Sequence, residues 1–470
     1  MVQAVCVREK PVGLAFFTLL LGAFITMFDL FVVNVAIPAM QEDLSAGVSR
    51  MGLVIASYEV GFGGFLIAAG RFGDVFGRRR LYCTGILGFT VTSLLCGIAP
   101  DIWTLVLVRF AQGITAALLF PQIYTLLRVL FDDEHRARAF GILGMTLGLA
   151  AILGQVVGGL LVDLDLFALG WRMIFLINVP IGAVAALLCF SIPESRLETA
   201  TRIDVSGAVL ITLALVLILF SLLERREAEP AIFRTGLGAG VVLAVFFLYR
   251  ERALARKKME PIVDLALFRN GRFSSGRAVV FLIYSTSANL FLCFALLAQQ
   301  GFGLTALEAG SLFAPASAGF LLASLLAPKI GSKFGTWALP AGMLVYAAGV
   351  GALVLSALFT AFLDWKPYYM LPALVLFGCG QGMSMTPLLN FTVSLSDKSH
   401  AGIASGLIST MQQIGAACGV AVASLVFSGI LENAGNTATN YARSFSLAMI
   451  CNILAISAGF VIITMILKKR

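Results

Sequence analysis

Apolar stretches long enough to cross a membrane recur about fourteen times in this chain. A membrane-spanning helix needs about 20 mostly apolar residues. Only 12% of the residues are charged, whereas soluble domains carry about 25%. The strands of transmembrane β-barrels alternate over about 10 residues and do not produce such runs. We therefore predict an all-α integral membrane protein with fourteen transmembrane helices. The predicted spans are residues 12–37, 50–71, 81–99, 103–127, 137–162, 172–193, 204–223, 232–249, 274–300, 308–330, 336–359, 367–390, 401–429 and 443–467.

Two parts of the sequence resemble each other. Leu105–Gly113 in span 4 resembles Leu374–Gly382 in span 12, and Gly73–Gly77 after span 2 resembles Gly331–Gly335 after span 10. The offsets of 269 and 258 residues are similar, so we predict two pseudo-symmetric six-helix bundles with two helices inserted between them. Many secondary transporters are built on this plan. The predicted parts are an N-terminal six-helix bundle at 1–193, two inserted helices and a basic loop at 194–272, and a C-terminal six-helix bundle at 273–470.

The net charge of +8 follows the predicted sides of the membrane. Most Lys and Arg residues fall in loops on one side, and the largest basic group runs from Arg250 to Arg277. Cytoplasmic loops carry such an excess, so we expect a multi-pass protein of the cell (inner or plasma) membrane with both termini in the cytoplasm. The charge then sets topology and does not indicate nucleic acid as a partner. We expect the lipid bilayer as a partner, and a functional monomer.

The eight cysteines and two histidines form no recognisable metal-binding pattern. The cysteines are scattered singly, without C-x-x-C pairs, so we expect them to fill space in the core rather than to form disulfides or metal sites. No serine–histidine set suggests catalysis, and the phosphate-binding pattern G-x-x-x-x-G-K-[ST] does not occur. We expect no metal, no cofactor and no enzymatic activity, and an ATP-driven pump is disfavoured.

Four polar residues of the first half share one depth in the predicted membrane. At about 1.5 Å of rise per residue, Asp29 and Glu59 lie roughly 14 Å from the outer ends of their spans, and Arg109 and Gln155 roughly 10 Å. Charged side chains at this depth are costly and are by default functional. We predict that Asp29 is the principal proton and cation site and that Arg109 is its counter-charge. Glu59 is predicted to be a second acid that titrates with Asp29 as a coupled pair.

Both acids also admit a structural interpretation. Asp29 is then half of a buried ion pair with Arg109 that only fixes helix packing. Glu59 then lies near a loop after a small helix shift or by snorkelling. Gln155 is then a hydrogen-bonding group between helices rather than a substrate contact.

Three motifs resemble the major facilitator superfamily. Gly70–Arg80, in the loop between spans 2 and 3, closely matches the signature of that family. Arg109 with Gln112 and Gly113 is similar to its helix-four motif. Four glycines of span 5 are similar to its helix-five antiporter motif, and they are Gly148, Gly154, Gly158 and Gly159.

Two further motifs resemble the fourteen-helix drug–proton antiporter branch of that family. One is Asp29-x4-Asn34, and the other is Trp171–Pro180 in span 6. The match departs at Gln155, where the antiporter motif normally has the proline that kinks the helix. The second half also has Ser332 where the first half has Asp74.

These motifs and depths give four groups of expected functional residues. Proton and cation coupling is expected at Asp29, Glu59 and Arg109. The substrate cavity is expected to be lined by Thr26, Asn34, Tyr58, Gln112, Gln155, Asn289, Gln381 and Gln412. A conformational latch is expected at Gly70, Arg71, Asp74, Gly77, Arg78 and Arg79. The helix-five glycines Gly148, Gly154, Gly158 and Gly159 are expected to give a smooth surface on which one helix moves against another.

The resemblance implies a secondary active transporter of the multidrug-efflux type, which is associated with antibiotic resistance. Such a protein exports small lipophilic or cationic compounds by alternating access, in exchange for protons. The alternative is an exporter of one specific metabolite, such as a siderophore, a lipid or an amino acid, because the second half offers neutral amides and no acid. A non-transport membrane scaffold is less consistent with a buried polar layer.

Overall fold

The computed structural model describes residues 12–196, 204–224, 230–256, 271–363, 365–395 and 401–468, and this part of the chain is helical almost throughout. The α-helices are α1 Val12–Asp43, α2 Val48–Phe76, α3 Arg78–Gly97, α4 Ile102–Leu130, α5 Asp133–Leu164, α6 Met173–Leu176, α7 Asn178–Leu188, α8 Val205–Leu223, α9 Pro230–Arg256, α10 Gly271–Leu296, α11 Ala306–Phe334, α12 Ala338–Phe362, α13 Leu371–Ser394, α14 Ala401–Ala434 and α15 Ala438–Lys468. A π-helical turn, Leu297–Gly301, continues α10.

Each predicted span overlaps a helix of the structure, and the sixth span consists of two short helices, α6 and α7. By length and composition, ten helical stretches of the described residues can cross a membrane. One of these stretches, Ala306–Phe362, contains both α11 and α12. The number rises to eleven if Val48–Leu66 and Ala68–Phe76, bent by 51° within α2, count as one span. The all-helical membrane fold is therefore confirmed, while the number of fourteen spans is not established by this criterion.

Helix ends are marked by side chains that satisfy free backbone N–H groups. Asp101 accepts hydrogen bonds from the backbone at the start of α4, and Asp132 does the same for α5. Asp204 caps α8, and Thr305 forms a capping box with Glu308 at the start of α11. These polar caps place the turns between helices at the two ends of the bundle. We call the end at which α1 ends and α2 begins the distal end, and the opposite end the proximal end.

The helices pack as two groups that meet along two pairs. In the first group α2 and α3 pack against α4, and α1 packs against α5 and α7. In the second group α11 and α12 pack against α13, and α10 packs against α14 and α15. The groups meet where α2 contacts α14 and where α5 contacts α11. Small residues allow the close approaches, because no hydrophobic effect draws helices together in lipid.

The two helices between the groups, α8 and α9, pack against each other, and α8 also packs on α2 and α14. An apolar cluster joins the three helices and contains Leu53, Ala56, Val60, Leu219, Leu223, Ala417 and Ala421. Arg250 of α9 forms a salt bridge of 2.6 Å with Asp204 at the start of α8. The inserted pair therefore covers one of the two places where the groups meet. The domain boundaries given above remain predictions.

A disulfide corrects one expectation from the sequence. Cys83 near the start of α3 is bonded to Cys189 directly after α7, with a Cα–Cα distance of 5.8 Å. The two residues are 106 positions apart, and their scattered spacing carries no signal of pairing. Packing of α3 on α7 brings them together. Cys96, Cys293, Cys379, Cys418 and Cys451 are free, whereas Cys6 lies outside the described residues.

Candidate functional site

A closed network of hydrogen bonds surrounds Asp29 in the middle of α1. Nη1 of Arg109 in α4 lies 2.5 Å from Oδ2 of Asp29. Oδ1 of Asp29 accepts hydrogen bonds of 3.1 Å from the amides of Gln112 in α4 and Asn178 in α7. Gln112 also accepts from Arg109 and donates to Ser93 of α3. Four helices therefore hold one buried carboxylate, which is 0% exposed.

The Arg109 guanidinium is enclosed by aromatic rings as well as by the carboxylate. It lies 4.4 Å from the ring centre of Tyr58 and 5.5 Å from that of Phe175. Its Nε donates to the Val54 carbonyl of α2. Arg109 is 1% exposed. A buried ion pair persists when its remaining donors and acceptors find partners. The network supplies several of them, while Oδ1 of Asn178 has none among the described residues.

The network brings together three residues that the sequence nominated and two that it did not. Asp29, Arg109 and Gln112 are joined directly, and the predicted cavity residue Gln112 is thereby engaged inside the network. Asn178 and Ser93 were missed as partners. Asn178 falls in the span-6 motif that resembles the drug–proton antiporter branch, so a signal for it was present. Ser93 carries no sequence signal, because only packing of α3 on α4 brings it to Gln112.

Glu59 lies on another face of α2. At seven- and four-residue spacing it shares a side of the helix with Gly52 and Gly63, which closely approach Ser424 and Gln413 of α14. Glu59 is 3% exposed, and its Oε2 has no hydrogen-bond partner among the described residues. The structure therefore places Glu59 where the two groups of helices meet and does not hydrogen-bond it to Asp29.

Gln155 lines a small central cavity between the two groups of helices. The cavity has a volume of about 10 Å³ and is lined by Val35, Gln155, Phe291, Phe294, Ala295, Gln299, Ala309 and Phe313. Thr26 and Asn34, predicted to line a cavity on α1, donate to backbone carbonyls one turn earlier in the same helix. The structure thus places Gln155 at a cavity, whereas the side chains of Thr26 and Asn34 are hydrogen-bonded to the backbone of their own helix.

The predicted amides of the second half belong to neutral hydrogen-bond networks. Asn289 donates to Asn452 of α15, and Gln381 donates to Ser287 of α10 over 2.7 Å. Gln412 of α14 lies near Tyr284 of α10. The Ser287–Gln381 pair repeats the Asp29–Gln112 pair, since the two offsets are the 258 and 269 residues found in the sequence. The internal repeat is thus visible in contacts, with a serine in place of the carboxylate.

The four glycines of α5 lie against the helices on either side. Gly154 and Gly158 closely approach α1 at Phe31 and Val32. Gly148 faces Leu321 of α11, and a Cβ on Gly159 would lie 2.4 Å from the Ala306 carbonyl oxygen. These glycines therefore set the distances between α5, its own group and the opposite group.

The predicted latch lies at the proximal end, between α2 and α3. Arg78 donates to Asp74 over 2.7 Å and to the Ser195 hydroxyl over 2.8 Å. Glu194 accepts from the Arg79 backbone and faces the guanidinium of Arg79 at 3.7 Å. Gly77 has a φ of 103°, and a side chain there would meet Glu194. Glu194 and Ser195, which follow α7, contact the predicted latch residues and were not indicated by the sequence. Gly70 has open space around it, and Arg71 lies in α2 beside it.

The distal end is closed by contacts between the two groups. In the π-helical turn, Gln299 donates to the Val35 carbonyl of α1 over 2.8 Å, and Gln300 donates to Gln41. Asp163 at the end of α5 accepts from the backbone N–H groups of Ala306 and Leu307 in α11. A depression of about 590 Å³ lies outside these contacts and is lined in part by Gln299. Since Gln299 also lines the central cavity, its hydrogen bond separates the two spaces.

Asp43, which follows the first predicted span, also ties α1 to the start of the sixth span. Asp43 accepts hydrogen bonds from the Trp171 indole and from Arg172 over 2.9 and 2.6 Å. The hydrogen bond from Trp171, with a smaller contribution from that of Arg172, holds the pKa of the Asp43 carboxyl below its ordinary value. Among the described residues, no group of three or more His, Cys, Asp or Glu side chains is arranged to hold a metal ion.

Known proteins with similar sequences are transport and resistance proteins. The family model of the Major Facilitator Superfamily matches residues 19–420. The chain is 35% identical over 418 residues to a probable actinorhodin transporter of Streptomyces coelicolor, covering 88% of this chain and 72% of the relative. It is 33% identical over 416 residues to the puromycin resistance protein pur8 of Streptomyces alboniger, covering 87% and 81%.

A solved structure agrees with this fold along nearly its whole length. It is the inward-facing, unoccupied form of a bacterial homolog of the human lysosomal transporter Spinster. The TM-score is 0.70 at 16% sequence identity, and the match covers 98% of this chain and 99% of the other. With the family model spanning most of the sequence, the resemblance seen in the motifs is confirmed: the chain belongs to the Major Facilitator Superfamily, a family of membrane transporters rather than enzymes.

Proposed function

We propose that this protein is a secondary active transporter that exports small lipophilic or cationic compounds in exchange for protons, by alternating access. The observation that carries the proposal is the Asp29–Arg109 pair, buried between helices of the first group at membrane depth. A buried charge of this kind is costly and rarely serves packing alone. Relatives named for actinorhodin transport and for puromycin resistance support export of small organic molecules.

The proposal includes an orientation and a topology. The chain has fourteen spans, both termini lie in the cytoplasm, and the distal end faces the exterior of the cell membrane. In this arrangement the exterior side is closed by Gln299 and Asp163. The latch around Asp74, Arg78 and Glu194 then lies on the cytoplasmic side and stabilises one conformation of the first group. The transporter acts as a monomer, and its partners are a small-molecule substrate and protons.

Proton flow supplies enough free energy for such export. Moving one charge across 100 mV is worth about 2.3 kcal/mol, which supports a roughly fifty-fold gradient. A proton and a cationic substrate compete for negative charge in a cavity that excludes water, because an empty charged site is costly there. This competition is the physical basis of exchange.

Transport into inverted membrane vesicles tests the function. Ethidium serves as a cationic probe and puromycin as a drug-like probe, and a proton gradient drives uptake. We expect uptake by the wild-type protein that collapses with an uncoupler and is lost in Asp29→Asn. Asp101→Asn, which keeps a capping side chain at an exposed helix start, is the matched control and should transport normally. Uncoupler-insensitive uptake of both probes would refute proton-driven export.

Export of one specific metabolite is the second candidate. The neutral networks of the second half, Asn289–Asn452 and Gln381–Ser287, favour it, because they offer hydrogen bonds without charge. Competition in the same vesicles distinguishes the two candidates. A multidrug exporter is inhibited by many unrelated lipophilic compounds, whereas a specific exporter is inhibited by one structural class.

A further inference from the structure

A second buried carboxyl group lies where the two groups of helices meet and takes no part in the Asp29 network. We call the contact between α2 and α14 the seam, defined by Gly52 against Ser424 and by Gly63 against Gln413. The Thr410 hydroxyl donates to the Gly63 carbonyl across it. Glu59 lies between these two levels on the same side of α2. It is therefore inside the seam and not at one end.

An apolar cluster packs at the seam between the levels of Ser424 and Gln413, where Glu59 lies. Ala56 lies three residues before Glu59 and Val60 directly after it. Both pack in one cluster with Ala417 and Ala421 of α14. Leu219 and Leu223 of the inserted α8 complete the cluster and cover the seam from the side. Glu59 is buried there, so its carboxylate loses its hydration, and its Oε2 has no hydrogen bond in return within the described part of the chain. The charged form of Glu59 is therefore strongly disfavoured while the seam is closed.

The ionisable groups of the neighbouring helices do not offset this cost. Arg109 of α4 attracts a negative Glu59, but its guanidinium is bound to Asp29 and Gln112. Tyr58, beside Glu59 on α2, faces the Arg109 guanidinium. The thiols are Cys96 of α3, which faces Gln112, and Cys418 of α14, which packs on the apolar cluster. The described part of α8 contributes no ionisable side chain within the helix.

Asp29 and Glu59 thus differ in what holds them. Asp29 is bound by one guanidinium and two amide groups, all of which favour its charged form. Glu59 has only attraction at a distance from a guanidinium that is already paired. Of the two acids, Glu59 is the one whose proton is controlled by whether the seam is closed or hydrated.

We propose that Glu59 is the exchangeable proton site of this transporter, protonated while the α2–α14 seam is closed and deprotonated when rocking of the two helix groups admits water to it. The inference rests on the proposed function and identifies the group that carries the proton. The proton passes between Glu59 and water, and Asp29 remains paired with Arg109. Proton binding and seam closure are then linked, because the proton binds one conformation better than the other.

The test measures conformation as a function of pH, without a substrate. Spin labels are attached to bio-orthogonal amino acids at Val129 of α4 and Phe334 of α11, which are exposed at the proximal ends of opposite groups. Distances are measured in the full-length protein in lipid nanodiscs. In the wild type we expect the arrangement described here to dominate at low pH and to decline as the pH rises. With one linked proton the ratio of the two arrangements changes by up to about tenfold per pH unit.

Three variants decide the outcome. Glu59→Gln, a neutral analogue, should hold the present arrangement at every pH, whereas Glu59→Asp should keep a pH-dependent transition. Asp101→Asn should behave as the wild type. The proposal would be overturned if the distance between the labels in the wild type did not change with pH, or if Glu59→Gln left the transition unchanged. If the Glu59-dependent transition is present but neither ethidium nor puromycin is transported, the proposed substrate class is wrong and the proton site stands.

Discussion

At the scale of single residues, the protein depends on how two buried carboxyl groups are held. Asp29 is enclosed by donors from α4 and α7, whereas Glu59 lies in an apolar seam. The sequence identified both acids from their depth alone. It could not distinguish their roles, because the face of α2 that meets α14 is set by contacts between residues at least 347 positions apart. Asn178 was missed as a partner of Asp29 for a similar reason.

Removing one partner of the buried ion pair should destabilise the folded protein more than removing both partners. Asp29→Asn leaves Arg109 charged and unpaired in the core, which destabilises a protein by about 3–5 kcal/mol. The double change Asp29→Leu with Arg109→Met removes both charges and should recover part of that loss. Thermal unfolding of the purified protein in detergent measures both effects. A double variant as unstable as the sum of Asp29→Leu alone and Arg109→Met alone would show that the pair contributes mainly as two separate contacts.

The hydrogen bonds that Asp43 accepts from Trp171 and Arg172 at the distal end should make the stability of the protein depend on pH. The folded-state pKa of Asp43 lies below the ordinary value of 3.8. Its stabilising contribution is therefore present above that value and is lost as the pH falls through the folded pKa. We expect the melting temperature of Asp43→Asn to lie below that of the wild type at pH 6 and the two to converge in acid. An unchanged difference between the two proteins at pH 3 would contradict this explanation.

At the scale of helices, close contacts through glycine set how α5 lies against the opposite group. Gly159 leaves no room for a Cβ, which would lie 2.4 Å from a backbone oxygen of α11. Gly141, on the same helix, has nothing within 4 Å of that position. The sequence indicated that the span-5 glycines matter. It could not say which helix each one faces, since the rotation of α5 follows from its packing between α1 and α11.

The two glycines provide a matched comparison. Gly159→Ala should force α5 and α11 apart and destabilise the protein by about 1–3 kcal/mol, with a loss of dye transport. Gly141→Ala should leave stability unchanged or raise it by up to about 1 kcal/mol, because alanine is the better helix former. Unfolding in detergent and vesicle transport measure the two effects. Equal behaviour of both variants would show that the close approach at Gly159 has no mechanical role.

The π-helical turn after α10 predicts a gate at Gln299. Its hydrogen bond to the Val35 carbonyl separates the central cavity from the distal depression. A net hydrogen bond is worth about 0.5–1.5 kcal/mol, so Gln299→Leu should raise the open population by about two- to tenfold. The measurement is labelling of Ala309→Cys, which lines the central cavity, with an impermeant thiol reagent from the distal side.

The neighbouring Gln300→Leu is the control for this gate. Gln300 also makes hydrogen bonds at the distal end, to Gln41 and Tyr441, but lines only the outer depression. It should leave labelling of the cavity cysteine unchanged. Labelling raised equally by both leucine variants would indicate general loosening of the distal end.

At the scale of the whole molecule, two helix groups meet at α2–α14 and at α5–α11, and the inserted α8 covers the first of these contacts. Hydropathy predicted the helices and the internal repeat predicted the two groups. The disulfide between Cys83 and Cys189 was not predictable, since it depends on how α3 and α7 pack. The two halves differ in chemistry, because Ser287 of the second half stands at the position that corresponds to Asp29 of the first half.

Proton movement driven by substrate alone tests the central claim most directly. Purified protein in sealed liposomes is given a gradient of ethidium or puromycin with no initial pH difference, and the internal pH is followed with a trapped dye. We predict that a gradient of transported substrate moves protons in the opposite direction, that the flux is lost in Glu59→Gln, and that Asp101→Asn retains it. Substrate movement of normal rate without any change in internal pH would contradict proton-coupled export.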